Sequence, residues 1–131
     1  MVDQCIFCKI AKKEINSHIV YDDKDFLGFL DILPRNEGHT LVIPKKHYRY
    51  VWDVDNPKYF DVIRKIAKAL QKTYSDFVVS FVIGEEVHHA HIHLVPRFPN
   101  DGHGALIDLK NIKQIPKENF SKIADKIKKN I

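Results

Sequence analysis

Of the eight histidines in the 131-residue chain, five fall into two groups: His39 and His47, then His89, His91 and His93, with His88 adjoining. Side chains on a strand alternate faces with a period of two. The spacing therefore puts His89, His91 and His93 on one face, and His88, Ala90, Ile92 and Leu94 on the other. A one-sided imidazole row is costly in a core and needless on a surface, because histidine is neither a strong strand former nor cheap to bury. Imidazole is suited to proton, nucleophile and metal chemistry near neutral pH. The row reads as a base-and-nucleophile set or a metal-binding set, in preference to a solvent face that happens to use histidine. Cys5 and Cys8, the two cysteines of the chain, stand at chelating spacing. Two histidines would have to complete a tetrahedral site there. A reduced free pair and a redox couple are the alternatives, and no thioredoxin-like βαβ pattern surrounds the pair.

The elements that must position these residues read as α+β. Cys5–Ala11 is a short helical turn, and His18–Tyr21 and Asp25–Ile32 are strands split by Asp22-Asp23-Lys24. Leu33–Gly38 is a loop by its turn residues, and Thr40–Ile43 is a β-branched strand stopped by Pro44. Asn56-Pro57 starts an amphipathic helix to about residue 74, with Phe60, Ile63, Ile66, Ala67, Leu70 and Tyr74 predicted on its core face. Phe77–Ile83 reads as a buried strand, Gly84-Glu85-Glu86 as a turn, and Val87–Val95 as a strand that could close a hairpin. Phe120, Ile123, Ala124 and Ile127 mark a C-terminal helix.

Composition bounds the function. Hydrophobic residues make up 44% and charged residues 29%, which is ordinary for one globular domain spanning 1–131. No apolar run approaches the roughly 20 residues that span a bilayer. The N-terminus, Met1 to Cys5, shows no basic segment before an apolar run, so no leader is expected and the chain reads as cytosolic. Net charge is +4, but residues 110–131 hold seven lysines against Glu118 and Asp125, leaving the rest near −1. That pattern predicts a solvated lysine-rich C-terminal helix and no nucleic-acid partner.

His89-Ala90-His91-Ile92-His93-Leu94-Val95 follows the pattern His-φ-His-φ-His-φ-φ, with φ apolar. With Ile6-Phe7-Cys8-Lys9-Ile10, Phe29-Leu30-Asp31-Ile32 and Gly38-His39-Thr40-Leu41-Val42-Ile43-Pro44-Lys45-Lys46-His47, the chain resembles the Hint-like branch of the histidine triad (HIT) superfamily over about residues 3–98. The resemblance implies an antiparallel sheet of about five strands with a central and a C-terminal helix. It implies a hydrolase or transferase acting at the α-phosphorus of purine nucleoside phosphoramidates or dinucleoside polyphosphates. His91 would be the nucleophile, and His93 and His39 the phosphate-side histidines. Asp31 would accept the ribose hydroxyls, and Ile6, Phe7, Ile10, Phe29 and Ile32 would form the base slot. Read alone, those five are core and Asp31 is a turn residue. The bacterial members it resembles carry a structural zinc, here on Cys5, Cys8, His47 and His89, and the branch forms homodimers, here through the 56–74 helix and the 77–83 strand. One departure stands out: Glu85 replaces a glutamine usual before the triad, which suits a cationic leaving group better than a polyphosphate. A metal-dependent hydrolase using the His row as ligands and a nucleotide-binding module with little turnover remain as alternatives. His103 reads as a surface histidine and Trp52 as a packing tryptophan.

Overall fold

Turn residues and apolar runs divide the chain into α1 (Ile6–Ala11), β1 (Ile19–Asp22), β2 (Phe26–Leu30), β3 (Thr40–Pro44), α2 (Lys58–Thr73), β4 (Val78–Phe81), β5 (Ile92–Pro96) and α3 (Asn119–Lys128). A 3-10 turn lies at Val51–Asp53. This computed structural model describes residues 4–131. Met1, Val2 and Asp3, part of the N-terminus read above as lacking a leader, lie outside the described residues. The strands form one antiparallel sheet in the order β1-β2-β3-β5-β4, so the fold is α+β as the pattern predicts.

Strand alternation sorts the core onto two faces. Phe26, Leu30, Val42, Ile92 and Leu94 point at α2 and α3, whereas Leu27, Phe29, Leu41 and Ile43 pack with Phe7 and Ile10 of α1 on the other side. Gly28 sits where α2 crosses the sheet. A Cβ there would lie 2.7 Å from Ile66 Cδ1 and 3.3 Å from Val20 Cγ2, so glycine lets α2 approach without displacing the Ile66 side chain. Phe120, Ile123, Ala124 and Ile127 are all buried, as their spacing predicts.

Five expectations need correction. The buried stripe of α2 is Tyr59, Val62, Ile66, Ala69 and Leu70, while Phe60 is 52% exposed. The Tyr59 hydroxyl donates to the Val42 carbonyl at 2.7 Å and takes the core-facing place, which turns the stripe by one position. The helix start stands as read, with Asn56 Oδ1 accepting from the Lys58 N–H at 3.0 Å. β4 is a half-buried edge strand, flanked by exposed Phe77, Val82 and Ile83, because among the described residues only β5 pairs with it. β5 begins at Ile92 and not Val87. The Pro44 carbonyl, where a longer ladder would continue, is occupied by the His89 ring at 2.7 Å. Trp52 is 79% exposed and packs into no core. The lysine-rich tail is helical only in α3, and Lys113 before it is half-buried among backbone carbonyls.

Candidate active site and metal centre

Although residues 87–91 leave the ladder, the alternation survives. Ala90 joins the core beneath α2 with Ile92 and Leu94, and His93 pairs with Leu41 and Phe81 on the opposite face. His91 is buried there, its Nδ1 2.7 Å from the His89 carbonyl. A carbonyl only accepts, so Nδ1 carries the proton and Nε2 keeps the lone pair. Burial holds the His91 imidazole below its usual range, while the Asp31 carboxylate pulls the other way.

The remaining imidazoles order themselves from a backbone amide. The Arg35 N–H donates to His39 Nδ1 at 3.0 Å, so the His39 proton is on Nε2. That Nε2 lies 3.0 Å from His93 Nδ1, which must accept. The His93 proton is therefore on Nε2. Burial pushes His39 down to about 2 and His93 down to about 3, keeping both rings neutral. The Phe81 ring stacks on His93 with centroids 4.5 Å apart. Gly38 turns the chain into His39 at φ 91°, and a Cβ there would lie 2.6 Å from the Tyr74 ring.

A pocket of about 600 Å³ opens over this face. Ile6, Phe7, Ile10, Phe29, Asp31, Ile32, Glu85, His91 and His93 all line it, so the structure brings together every residue expected on the nucleotide side. Phe7, Ile10 and Phe29 are buried walls, and Ile6 and Ile32 are exposed at 46% and 71%. His39 is behind His93 and is not part of the lining. Burial raises the Asp31 carboxyl above its usual range, although the Leu33 N–H donates to its Oδ1 at 2.8 Å and Arg35 lies 3.8 Å from its Oδ2. Sequence reasoning missed Arg35, Asn16, Ser17, Glu86 and Lys110 of the lining. Arg35 was detectable as a base four residues after Asp31, inside a loop read only for its turn residues.

Cys5, Cys8, His47 and His89 meet on the far side of α1, their four donor atoms within 4.8 Å of one another. Cys5 Sγ is 3.2 Å and Cys8 Sγ 3.4 Å from His89 Nδ1, and Cys8 Sγ is 3.3 Å from His47 Nδ1. Tetrahedral zinc with such ligands needs donor separations of about 3.4–3.8 Å, so the set is compatible with zinc after shifts of a few tenths of an ångström. Two features prepare it. The Cys8 N–H donates to Cys5 Sγ at 3.2 Å, and the His89 Nε2–H donates to the Pro44 carbonyl, leaving Nδ1 to face the thiols. Burial, with the Cys5 thiol beside it, pushes the Cys8 thiol up to about 11, so paired thiolates there call for a cation.

Residues 12–100 match the family profile described as the HIT domain. An uncharacterised HIT-like protein of Borreliella burgdorferi is 40% identical over 97% of this chain and 98% of its own length. The adenosine 5'-monophosphoramidase of Saccharomyces cerevisiae is 40% identical over 71% of this chain and 62% of its own. Among solved structures, a Hit-like protein from Bartonella henselae superposes with a TM-score of 0.80 at 34% identity, covering 96% of this chain and 95% of that one. A zinc-bound histidine triad family protein from Mycobacterium smegmatis superposes at 0.78 and 27% identity, covering 99% and 94%. With its triad, its pocket and its sequence in agreement, the chain belongs to the HIT family.

Proposed function

We propose that the protein is a nucleotide-binding hydrolase or transferase that cleaves at the α-phosphorus of purine nucleoside phosphoramidates or dinucleoside polyphosphates through a nucleotidyl-histidine on His91. The observation that carries this reading is the 2.7 Å bond from His91 Nδ1 to the His89 carbonyl, which leaves the Nε2 lone pair as the free nucleophile of a neutral imidazole. Nε2 attacks phosphorus, the bond to the leaving amine or phosphate breaks with its electron pair, and the leaving group takes a proton from solvent. Water then attacks the same phosphorus and gives up a proton to solvent, and the electron pair of the phosphorus–nitrogen bond returns to Nε2. The His93 Nε2–H, fixed through His39, donates to the phosphoryl oxygens as their charge grows. Asp31 takes the ribose hydroxyls, and Phe7, Ile10 and Phe29 hold the base. Glu85 on the pocket wall repels a polyphosphate tail and tolerates a cationic amine, which favours the phosphoramidate class named for the yeast relative.

Cys5, Cys8, His47 and His89 hold one zinc in this reading. Four protein ligands close the coordination sphere, so the ion ties α1 to the segment carrying His91 and is structural. That argues against a metal-activated water. Its thiols need a reducing compartment, in keeping with the cytosol, and no helix among the described residues is long and apolar enough to cross a membrane. Self-association through α2 and β4 is supported by Phe60 and Phe77, both more than half exposed, and by the unpaired outer edge of β4. Light scattering at micromolar concentration should give twice the 15.3 kDa chain mass.

The deciding experiment is a denaturing quench at alkaline pH, where the phosphorus–nitrogen bond survives, of the protein turning over adenosine 5'-phosphoramidate, followed by peptide mass spectrometry without acid steps. An adenylyl adduct on His91 is expected. An adduct on another residue, or turnover with none detectable in the burst phase, overturns the assignment.

A further inference from the structure

The family profile ends at residue 100, yet the chain beyond it returns to the active-site loop. We propose that His103 and Lys113 are positioning residues that set the tautomers of His39 and His93 by clamping the two peptide groups on either side of Arg35. The inference rests on the reading of His93 as a phosphate donor.

The Pro34–Arg35 peptide is held at both ends. Its carbonyl accepts from the Lys113 backbone N–H at 2.7 Å, and its N–H is the group that donates to His39 Nδ1. The following Arg35–Asn36 peptide is held by its carbonyl, which accepts from His103 Nε2 at 2.8 Å and from Lys113 Nζ at 2.9 Å. His103 is itself unambiguous. The Asp108 N–H donates to its Nδ1 at 3.0 Å, so its proton is on Nε2, facing Arg35. The three protons of the Lys113 ammonium go to the Arg35 carbonyl, Asn36 Oδ1 at 3.0 Å and the Asp101 carbonyl at 2.7 Å. Asp101 is fixed in turn by Arg97 at 2.8 Å. The Arg35 side chain also reaches this segment, donating from Nε to the Leu109 carbonyl at 3.0 Å.

The direction of the chain of bonds matters more than its strength. With the Arg35 N–H on His39 Nδ1, the proton order runs from His39 Nε2 to His93 Nδ1, and His93 presents an Nε2–H. If the Pro34–Arg35 peptide flipped, a carbonyl would face His39 Nδ1. The proton would move there, His39 Nε2 would become an acceptor, and His93 Nδ1 would have to donate. His93 Nε2 would then carry a lone pair toward the phosphate and repel what it should stabilise. His39 is buried, His93 is half-buried and both rings are neutral, so the peptide acts through tautomer choice and not through charge.

The test uses the full chain, zinc-loaded and ¹⁵N-labelled. Long-range ¹H–¹⁵N correlations of the imidazoles report tautomers, and steady-state kinetics use adenosine 5'-phosphoramidate. The wild type should show single Nε2–H tautomers at His39 and His93. His103→Ala/Lys113→Met frees the Arg35 carbonyl, with the Lys113 backbone N–H still on Pro34, so the Pro34–Arg35 peptide loses its neighbour's anchor and these tautomers should become mixed, with kcat lowered roughly 10- to 100-fold, the scale of a small misplacement, and KM changed far less. His103→Gln in the Lys113 background retains an ε-nitrogen donor and should recover most of kcat. Should the double variant fail to fold, His103→Ala alone gives the same readings. Single Nε2–H tautomers and unchanged kcat in the folded variant would overturn the clamp. If the wild type shows no turnover, the proposed function fails, and the tautomers alone decide the clamp.

Discussion

The four-donor centre and the triad are built from the same kind of ring on one stretch of chain, and they use opposite nitrogens. His89 gives its Nε2–H to the Pro44 carbonyl and turns Nδ1 to the thiols, while His91 gives its Nδ1–H to the His89 carbonyl and keeps Nε2 free. His89 thus lends its ring to one site and its backbone to the other. Residue type does not decide which nitrogen reacts; the nearest fixed carbonyl or amide does. The two sites also differ in what secures them. Thiol and imidazole donors clustered under burial call for an ion, whereas His39 and His91 are secured by backbone groups that are already in place, and His93 through His39.

The comparison breaks first at His91. His91→Ala should lower kcat on a nucleoside phosphoramidate by on the order of 10³ or more and leave zinc content unchanged. Stopped kinetics with metal analysis on the same sample check it, and substantial residual turnover would move the nucleophile elsewhere. Cys8→Ser should do the reverse. It should abolish stoichiometric zinc and lower the melting temperature by about 5–10 °C. Activity should fall by no more than about tenfold, as when an outer-shell support is lost. Elemental analysis and calorimetry decide this, and retained zinc would remove Cys8 from the ligand set.

Acid sharpens the contrast. His39 and His93 have folded values pushed down to about 2 and about 3 by burial, against about 6.5 in an unfolded chain. Between those limits the unfolded chain binds more protons, so stability falls as pH falls below about 6.5, with a slope of up to about 2.7 kcal/mol per pH unit for two histidines. Urea titrations between pH 7.5 and 5 measure it. His39→Asn should flatten the slope by one histidine's share, up to about 1.4 kcal/mol per pH unit, and an unchanged slope would locate the titration elsewhere. The smallest effect belongs to the ring under His93: Phe81→Leu removes the 4.5 Å stack. The loss should be about 0.5–1.5 kcal/mol of positioning, or roughly twofold to tenfold in kcat, with zinc binding untouched.

Much of this was legible in sequence because it is local. The period-two histidine row holds its face even where pairing stops, and the spacing of Phe120, Ile123, Ala124 and Ile127 foretold a buried helix stripe. The Cys-x-x-Cys pair and the resemblance brought His47 and His89 to the thiols, and all nine expected lining residues do line one pocket. What stayed hidden depends on partners far along the chain. Composition cannot tell an edge strand from a central one, so β4 reads as buried in sequence and is half-buried in the fold. It cannot see that the Tyr59 hydroxyl will find the Val42 carbonyl and rotate α2 by one position. Nor does a lysine-rich stretch disclose that Lys113 is spent on three acceptors, or that His103 pins Arg35 across 68 positions.

Gly38 gives the fold a point of fragility that no titratable group reveals. Any coding change there adds a Cβ where Tyr74 leaves 2.6 Å, at a φ of 91° that other residues rarely adopt. Relief can come only by moving the turn or the tyrosine, and the turn carries His39. Inheritance at this codon is therefore constrained through geometry: a protein carrying a substituted residue 38 would keep every imidazole, thiol and carboxylate of both sites and still hold His39, and through it His93, out of line.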